Sequence, residues 1–370
     1  MKYDLKSIAN NFKIEGNYLR GSSYGSGHIN DTFCIQTAED SCPDYILQRI
    51  NHHVFRNIPK LQENIERVTK HIQKKLSKIP NSNPARECLT LIHTTCGKLY
   101  YQDNNGNYWR MYIFIDKNKS YDIVDCPEKA YDGGKAFGKF QALLTDMPGG
   151  PLYETIPDFH NIEKRLKTFY NTVKNNPVNR VKEITKEIEF VKKRAEEMVK
   201  IIRLGREEKI PVRITHNDTK FNNVLFSKGD KALCIIDLDT VMPGYVHYDF
   251  GDSIRTTTNT GAEDEKDLSK VSMDIKLFKE FANGFLEETK TLLTKTEIDN
   301  LAFSGKLLTF IMGLRFLTDY IDGNNYYKIH FGSHNLQRAR AQFKLLTSME
   351  EQYEEMQMII KKLVSNKANR

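Results

Sequence analysis

The stretch that decides the fold is residues 215–239, which read T-H-N-D-T-K-F-N-N-V-L-F-S-K-G-D-K-A-L-C-I-I-D-L-D. It contains two short apolar runs, at 224–226 and 232–236, with the polar run S-K-G-D-K between them. Two β-prone runs on either side of a tight polar turn are typical of an antiparallel hairpin. Because a hairpin reverses the chain, the residues just before its first strand and just after its second strand are predicted to be neighbours.

Polar side chains stand at both of these ends. Asp218, Lys220 and Asn223 precede the first strand, and Asp237 follows the second. An amide oxygen and a carboxylate are ligands that suit Mg²⁺ when the ion also binds phosphate. A second carboxylate can accept a proton from a hydroxyl, and a lysine can hold a phosphate as a point charge. The set therefore indicates phosphoryl transfer. The alternative is that each residue only caps a turn, as Asp and Asn often do.

The N-terminal third of the chain has the patterns of β-strands around one helix. Residues 32–37, 45–50 and 109–115 are short β-prone runs. Residues 18–27 are interrupted by glycines and are predicted to form a loop. Residues 58–75 have apolar side chains at steps of three and four, which predicts a helix.

The rest of the chain is dominated by helical spacing. Residues 129–144 predict one helix, and residues 161–206 predict two helices with a break near Pro177. The order of the elements predicts an α+β protein with two domains. Residues 1–115 would form a small lobe with an antiparallel sheet and one helix, and residues 116–370 a larger, mostly helical lobe.

The composition of the 370 residues excludes several classes of protein. Hydrophobic residues make up 39% and charged residues 28%, which is typical of a globular protein and not of a disordered one. The net charge of +7 is spread along the chain, so it does not form the basic patch of a nucleic-acid-binding protein. The six cysteines include no C-x-x-C pair, and we expect free thiols in a reducing cytoplasm.

No association with a membrane is predicted. The N-terminus lacks the apolar segment of a signal peptide. The longest apolar stretch, residues 307–314, has about eight residues, whereas a membrane-spanning helix needs about 20. We therefore expect a cytoplasmic protein.

The residues of the hairpin resemble those of known kinases. The spacing of Asp218, Lys220 and Asn223 is similar to the catalytic loop of protein kinases, and Asp237 resembles the metal-binding aspartate after their hairpin. The H-N-D opening and the I-D-L-D ending resemble the aminoglycoside/choline kinase-like phosphotransferase family more closely. Within that family, the longer stretches 216–225 and 236–245 resemble the N-acetylhexosamine 1-kinases. This resemblance is carried further by residues 24–33, 47–59, 248–255 and 313–323. It implies a bilobal protein-kinase-like fold.

The resemblance also implies roles for the residues of the loop. Asp218 would orient and deprotonate the attacking hydroxyl, and Lys220 would contact the transferring phosphate. Asn223 and Asp237 would hold Mg²⁺, assisted by Asp239. ATP would be the phosphate donor.

Two further residues are expected to support the loop. His216 would pack behind it. The triplet D-F-G, which carries the metal-binding aspartate in protein kinases, stands here at 249–251, beyond the hairpin. By resemblance, Asp249 braces the catalytic loop through hydrogen bonds, and Asp252 is the alternative for that role.

The expected nucleotide site lies in the N-terminal lobe. Gly25 and Gly27 would let backbone amides approach the phosphates. Kinases place a lysine on the third strand, but here the strand reads Y-I-L-Q-R-I, with Gln48 or Arg49 at that place. Arg49, paired with Glu63 on the following helix, would neutralise phosphates with a different reach and geometry.

The hinge between the lobes is expected after the strand at 109–115. The backbone around Ile115 would then hold the adenine.

The first candidate for binding the acceptor is Arg315. It follows the apolar run L-L-T-F-I-M-G-L, so its helix is expected to be buried, where a charge needs a partner. One interpretation is an ion pair with Asp319, one turn further on. The other is a sugar-binding arginine, as the resemblance implies. His28, on the glycine loop, is a second candidate for contacting the sugar.

The charges around Arg315 bear on the acceptor. Residues 301–345 contain two acidic side chains against six basic ones, which does not suit a polycationic aminoglycoside. The acidic run at 263–267 weakens this inference if it faces the cleft. A choline site needs an aromatic cage, which 18 tyrosines keep open.

We therefore expect a phosphotransferase with an alcohol group as acceptor. It would use ATP and Mg²⁺ to phosphorylate the anomeric hydroxyl of an N-acetylhexosamine, GlcNAc or GalNAc, and give the sugar 1-phosphate. One alternative is a kinase of another small alcohol, such as an aminoglycoside, choline or homoserine. The other is a catalytically inactive kinase-like binding module. The expected partners are a small-molecule sugar and ATP, with no nucleic acid and no membrane.

Overall fold

A computed structural model describes residues 3–25 and 29–365 and shows a kinase-like fold, with an antiparallel sheet in the N-terminal part and mostly helices in the C-terminal part. The strands are β1 (Tyr18–Ser23), β2 (Asp31–Thr37), β3 (Tyr45–Ile50), β4 (Leu91–Ile92), β5 (Tyr101–Gln102), β6 (Tyr108–Ile113), β7 (Asn118–Lys119), β8 (Arg213–Thr215), β9 (Val224–Ser227), β10 (Ala232–Ile235) and β11 (Met242–Gly244). The helices are α1 (Leu5–Ala9), α2 (Ile58–Leu76), α3 (Pro84–Glu87), α4 (Pro127–Leu144), α5 (Ile162–Asn175), α6 (Thr185–Met198), α7 (Lys200–Arg206), α8 (Val246–Thr257), α9 (Ile275–Thr289), α10 (Lys295–Asp299), α11 (Leu301–Ile321), α12 (His334–Glu351) and α13 (Tyr353–Ser365).

The larger sheet has the strand order β1-β2-β3-β6-β4, with β5 also paired to β6, and every pair is antiparallel. Strands β2 and β3 lie where the sequence predicts them. In β2 the side chains of Phe33, Ile35 and Thr37 are buried in alternation, which is the pattern of a strand with one face on the core.

Strand β1 corrects the prediction of a glycine loop over residues 18–27. Five of its six residues pair with β2, with a register shift at Leu19, and Ser23 lies opposite Phe33. A Cβ atom on Gly21 would lie only 2.8 Å from the Cδ1 atom of Leu5 in α1. This glycine therefore marks a close contact between a strand and a helix, and not a turn.

Helix α2 packs on the sheet and also reaches the C-terminal part. Its N-cap is Asn57, whose side chain accepts a hydrogen bond from the amide of Lys60. The Asn64 side-chain amide donates to the carbonyl oxygens of Tyr153, at 2.7 Å, and Val241, at 3.1 Å. These bonds tie α2 to the segment that follows the hairpin β9–β10.

In the C-terminal part, helices α4 and α9 pack so closely that their backbones touch. A Cβ atom on Gly134 would lie 2.1 Å from the carbonyl oxygen of Phe281, and one on Gly284 would lie 2.1 Å from that of Tyr131. Only glycine fits at these two positions. Helix α4 also contacts β10, so the pair supports the hairpin that holds the polar residues.

Helix α11 is the core of the C-terminal part. Among the described residues it is the one helix that is long and apolar enough to cross a membrane, and most of it is buried inside the protein. It packs against α5, α8 and α12.

The segment at 161–206 differs from its prediction. It breaks near Pro177 as expected, but it contains three α-helices and not two. The second break separates α6, which ends at Met198, from α7, which begins at Lys200. Met198 and Ile201 are both buried, so the apolar spacing continues across this second break and does not reveal it. The six cysteines are free, as predicted.

Candidate active site

The hairpin β9–β10 brings the two groups of polar residues together, as predicted. Val224 pairs with Ile235, and the amide of Ile236 donates to the carbonyl oxygen of Asn223 at 2.9 Å. Asp237 is the next residue along the chain. Asn223 and Asp237 are therefore neighbours at the open end of the hairpin.

The loop that carries Asp218 is held in place by hydrogen bonds to Asp249 in α8. The Asp249 carboxylate accepts hydrogen bonds from the amides of His216, at 2.9 Å, and Asn217, at 2.7 Å. It also accepts one from the side-chain amide of Gln141 in α4, at 2.5 Å. Asp249 is 1% exposed. The expectation that the D-F-G aspartate braces the loop agrees with these bonds, whereas no pattern in the sequence indicates the contribution of Gln141.

His216 connects the loop to the hairpin. Its Nε2 atom donates to the carbonyl oxygen of Ile236 at 2.9 Å, and its Nδ1 atom lies 3.3 Å from the amide of Asp218. Its ring packs against the edges of Phe137 and Phe140, and the residue is fully buried. His216 thus packs behind the loop, where the sequence analysis placed it.

Asp218 points into the cleft beside two other side chains of its loop. The Nζ atom of Lys220 lies 3.4 Å from Asp218 Oδ1. The Asn223 side-chain nitrogen donates to the carbonyl oxygen of Asp218 at 2.8 Å and to its Oδ2 at 3.3 Å. Burial pushes the pKa of Asp218 upward, but Lys220, with smaller contributions from His216 and Arg255, holds it below its usual value. Asp218 is therefore ionised at neutral pH.

Asp237 occupies a special backbone position at the end of the hairpin. Its φ is +61° and its ψ is +56°, in the left-handed region that costs a non-glycine residue energy. Asp237 is exposed to solvent, although many protein atoms surround its carboxylate. Desolvation and the nearby carboxylates of Asp239 and Asp218 raise its pKa to about 7. The site thus carries more negative charge than its own cations balance.

The carboxylate of Asp239 binds two side chains of the N-terminal part of the chain. One carboxylate oxygen forms an ion pair with Arg110 of β6, and the other accepts a hydrogen bond from the side chain of Asn30 at 2.7 Å. The Arg110 Nε atom donates to the Gln48 side chain at 2.9 Å. Both Arg110 and Asp239 are 1% exposed. Each Asp239 oxygen already has one partner, and the expected help of Asp239 in holding a metal stays a prediction.

Arg49 does not lie where the sequence analysis expected it. Successive side chains of a strand point to opposite faces of the sheet. Gln48, opposite Arg110 in the ladder, therefore faces the cleft, and Arg49 faces α1. There it pairs with Asp31 at 2.7 Å, and not with Glu63 of α2. The buried cation next to the acidic residues is Arg110, which the sequence analysis missed because nothing in its spacing indicates a partner 129 positions away.

The structure describes only some of the other residues that are candidates for nucleotide binding. Gly25 has a φ of +72°, and a Cβ atom there would meet no atom within 4 Å. Gly27 and His28 lie outside the described residues. The carbonyl oxygen of Ile115 accepts a hydrogen bond from the side chain of Asn118. Beside this hinge segment, Tyr24 packs edge-on against Phe114, with ring centroids 5.6 Å apart.

On the acceptor side, Arg315 and Asp319 do not form the ion pair that was one of the two interpretations. The Asp319 carboxylate accepts the backbone amides of Tyr326, at 2.8 Å, and Tyr327, at 3.0 Å. The Arg315 guanidinium instead lies 5.1 Å to 5.8 Å from the ring centroids of Phe159, Tyr326 and Tyr327. Asp218 and Asp252 are close enough to contribute to the raised pKa of Arg315.

No group of three or more His, Cys, Asp or Glu side chains forms a metal-binding cluster in residues 3–25 and 29–365. The oxygens available near the hairpin are those of Asn223, whose amide nitrogen is already bonded, and Asp237. Two protein ligands of this kind fit Mg²⁺, which usually keeps waters or substrate phosphates as its other ligands.

Comparisons with known proteins show the family and the fold of the chain. A family model described as the phosphotransferase enzyme family matches residues 21–270. An aminoglycoside phosphotransferase from Alicyclobacillus acidocaldarius is similar in structure, with a TM-score of 0.59 and 12% identity over 94% of this chain and 96% of that one. A spectinomycin phosphotransferase in complex with ADP and spectinomycin has a TM-score of 0.59 and 12% identity, over 95% and 98% of the two chains. A choline kinase from Cryptosporidium parvum has a TM-score of 0.59 and 13% identity, over 97% and 98%.

Proposed function

This chain belongs to the phosphotransferase enzyme family, and from that premise we propose that it is a kinase that phosphorylates the anomeric hydroxyl of an N-acetylhexosamine with ATP and Mg²⁺. The observation that carries the proposal is the ionised Asp218 beside Lys220, on a loop adjoining Asn223 and Asp237. In this proposal residues 1–115 bind the nucleotide, and residues 116–370 carry the catalytic loop and the acceptor site. The free cysteines fit a reducing cytoplasm.

The Mg²⁺ ion would be held by Asn223 and Asp237. The donor set fits because it offers one amide oxygen and one carboxylate, in a place where Asp218, Asp237 and Asp239 leave negative charge uncompensated. When bound, the ion would neutralise charge on the phosphates. Arg110 and Asn30 would keep Asp239 fixed behind this site, where its carboxylate would assist in holding the ion.

Asp218 would act on the acceptor hydroxyl. Its carboxylate accepts a hydrogen bond from the hydroxyl and orients the oxygen toward the γ-phosphorus. As the new oxygen–phosphorus bond forms, the bond from the γ-phosphorus to ADP breaks, and the hydroxyl proton passes to Asp218. A carboxylate with a low pKa is a weak base, so orientation is its main contribution. The Lys220 ammonium would contact the phosphoryl group in transfer.

In the N-terminal part, the backbone at Gly25 and Gly27 would approach the phosphates, and the backbone at Ile115 would hold the adenine. Arg49 and Glu63 do not form the pair expected of them, so neither supports a phosphate clamp. Arg110 takes the place of the missing strand lysine as the buried cation, and it acts through Asp239.

The acceptor would lie on Phe159, Tyr326 and Tyr327, whose rings suit the apolar face of a sugar, with Arg315 donating to its oxygens. His28 stays a candidate for a second contact. Choline and aminoglycosides are disfavoured because Arg315 already sits among the aromatic rings that a cationic acceptor would need.

The experiment is a substrate panel. The enzyme is incubated with ATP, Mg²⁺ and, in turn, GlcNAc, GalNAc, an aminoglycoside, choline and homoserine. We expect phosphate on the anomeric carbon of a hexosamine, identified by NMR and released by mild acid. An acid-stable phosphate on choline or on an aminoglycoside would support the alternative small-alcohol kinase. ADP formation with none of these acceptors would contradict the sugar kinase proposal.

A further inference from the structure

Two arginines of the acceptor region, Arg165 and Arg315, have no carboxylate partner within the part of the chain that the structure describes. The Arg165 Nη2 atom donates to the carbonyl oxygen of Phe159 at 2.8 Å, but its Nε atom is buried and has no hydrogen-bond partner. Arg315 contacts the sulfur of Met312, at 3.4 Å, and the aromatic rings described above. Neither guanidinium therefore forms an ion pair with the described residues.

Several other arginines of the described residues pair with acids, although Arg180 and Arg338 bond only to carbonyl and amide oxygens. Arg110 pairs with Asp239, Arg213 with Glu297, and Arg255 with both Asp252 and Glu263. This pairing is what the cost of burying a charge requires. Arg165 and Arg315 both lack such a pair, and both lie beside Phe159.

The two guanidiniums are also close enough to repel each other. Burial and then the charge of Arg315 lower the pKa of Arg165 to about 10. Two like charges in a partly desolvated place are costly unless something negative lies between or beside them. The carboxylates of Asp158, Asp218 and Asp252 act on these arginines only from a distance and form no ion pair with them, so both guanidiniums are open to an anionic ligand.

His160 locates the pair relative to the loop that carries Asp218. It is buried, and its Nε2 atom donates to the carbonyl oxygen of Asn217 at 2.9 Å, one residue before Asp218. Desolvation, together with Arg315 and Arg165, lowers the pKa of His160 to about 3, so it is neutral and adds no charge of its own. The two arginines therefore lie next to the catalytic loop, on the acceptor side.

We propose that the preferred acceptor is an N-acetylhexosamine with an anionic substituent, a carboxylate or a phosphate, and that Arg165 and Arg315 together bind this group. The proposal rests on the proposed function and names its substrate more closely. Guanidinium groups present planar forks of donors that match carboxylate and phosphate oxygens. The rings of Phe159, Tyr326 and Tyr327 would hold the neutral part of the sugar.

The test compares three acceptors with the same ring. They are N-acetylglucosamine, which is neutral, N-acetylglucosamine 6-phosphate, and N-acetylmuramic acid, whose lactyl ether carries a carboxylate. We expect kcat/KM to be about ten- to a hundred-fold higher for at least one acidic sugar than for the neutral one, since hydrogen bonds between charged groups are worth about that factor. Comparing the two acidic sugars identifies carboxylate or phosphate as the group recognised.

The matched variants are Arg165→Met and Arg203→Met. Arg203 lies on the surface of α7, where it pairs with Glu196, so it controls for the loss of one positive charge. We expect Arg165→Met to reduce the ratio of acidic to neutral kcat/KM at least about ten-fold. Arg203→Met should leave this ratio as it is in the unmodified enzyme.

The outcomes separate the two proposals. If the neutral sugar is phosphorylated as well as either acidic one, or if Arg165→Met lowers both alike, the anionic acceptor is wrong and the sugar kinase stands. If no sugar is phosphorylated, calorimetric titration of the same three sugars in the presence of a non-hydrolysable ATP analogue decides. Binding of an acidic sugar that Arg165→Met abolishes would keep the anion site and overturn the sugar kinase. The absence of such binding would overturn both.

Discussion

In the proposed function the chemistry depends on the carboxylate of Asp218, whose charge is set by its neighbours. Changing Asp218 to Asn keeps the shape of the side chain but removes the proton acceptor. We expect Asp218→Asn to lower kcat by about 10²- to 10⁴-fold, the usual contribution of such a group, with a smaller change in KM for ATP. ADP release in a coupled assay measures both.

The control for this change is Asp230→Asn, in the turn of the hairpin, where the carboxylate pairs with Lys119. Its kcat should stay within about two-fold of that of the unmodified enzyme, as for most surface changes. An Asp218→Asn enzyme with unchanged turnover would contradict the role of Asp218.

At the scale of single residues, the sequence predicts what is close along the chain. Asp218, Asn223 and Asp237 were expected to meet because one short hairpin joins them, and they do. Arg110 and Arg165 were missed because their neighbours come from distant segments. The alternation of β3 places Gln48 on the face of Arg110, but only the observed ladder shows that these two residues are opposite each other.

At the scale of elements, helices α8 and α10 offer a test by pH. His247 of α8 is fully buried, and its Nε2 atom donates to the carbonyl oxygen of Glu297 at 3.1 Å. Burial lowers the pKa of His247 to about 4, against about 6.5 in an unfolded chain. The unfolded chain therefore binds the proton first as the pH falls, and stability is lost between about pH 6.5 and pH 4.

The expected size of this effect is about 2 kcal/mol in the free energy of unfolding between pH 7 and pH 5. His247→Gln retains a donor but has no proton to gain. Its stability should therefore fall less than that of the unmodified protein, by about this amount, in denaturant titrations at the two pH values. An equal fall in both proteins would mean that His247 is not the cause.

The elements themselves were predicted where their patterns are strong. The strands β2 and β3 and the helix α2 follow from alternation and from helical spacing. Glycine misled the prediction at β1, because Gly21 serves a contact with α1 that sequence does not show. The close approach of α4 and α9 was likewise invisible, since the glycines that permit it lie about 150 positions apart.

At the scale of the whole molecule, the ion pair of Arg110 and Asp239 connects the N-terminal sheet to the end of the hairpin. Arg110→Met would leave a buried carboxylate without its partner. We expect a loss of about 3–5 kcal/mol in the free energy of unfolding, together with a large loss of activity. Thermal and denaturant unfolding measure the first, and ADP release the second.

Arg49→Met is the matched control, because it removes an arginine from the neighbouring strand whose pair with Asp31 is partly exposed. It should cost less than about 1 kcal/mol. Equal losses in the two variants would show that the connection between the two parts does not depend on Arg110.

The order of a β-rich part and a helical part was predicted from the patterns alone, and the family resemblance supplied the kinase-like arrangement, which the structure confirms. How the two parts meet was not predicted. The contacts of Asn30, Asn64 and Arg110 span 209, 177 and 129 positions, and no local pattern encodes such distances.

Because Arg110 and Asn30 both bind the carboxylate of Asp239, this contact affects the design of chimeric proteins made from this chain and its relatives. A chimera that took its sheet from one protein and its helices from another would receive Asn30 and Arg110 without Asp239, or Asp239 without them, unless both parents carry all three residues. Crossover points in the hinge would therefore give inactive hybrids, even though each half is intact. Hybrids that also transplant positions 30 and 110 with position 239 should be the ones that recover activity.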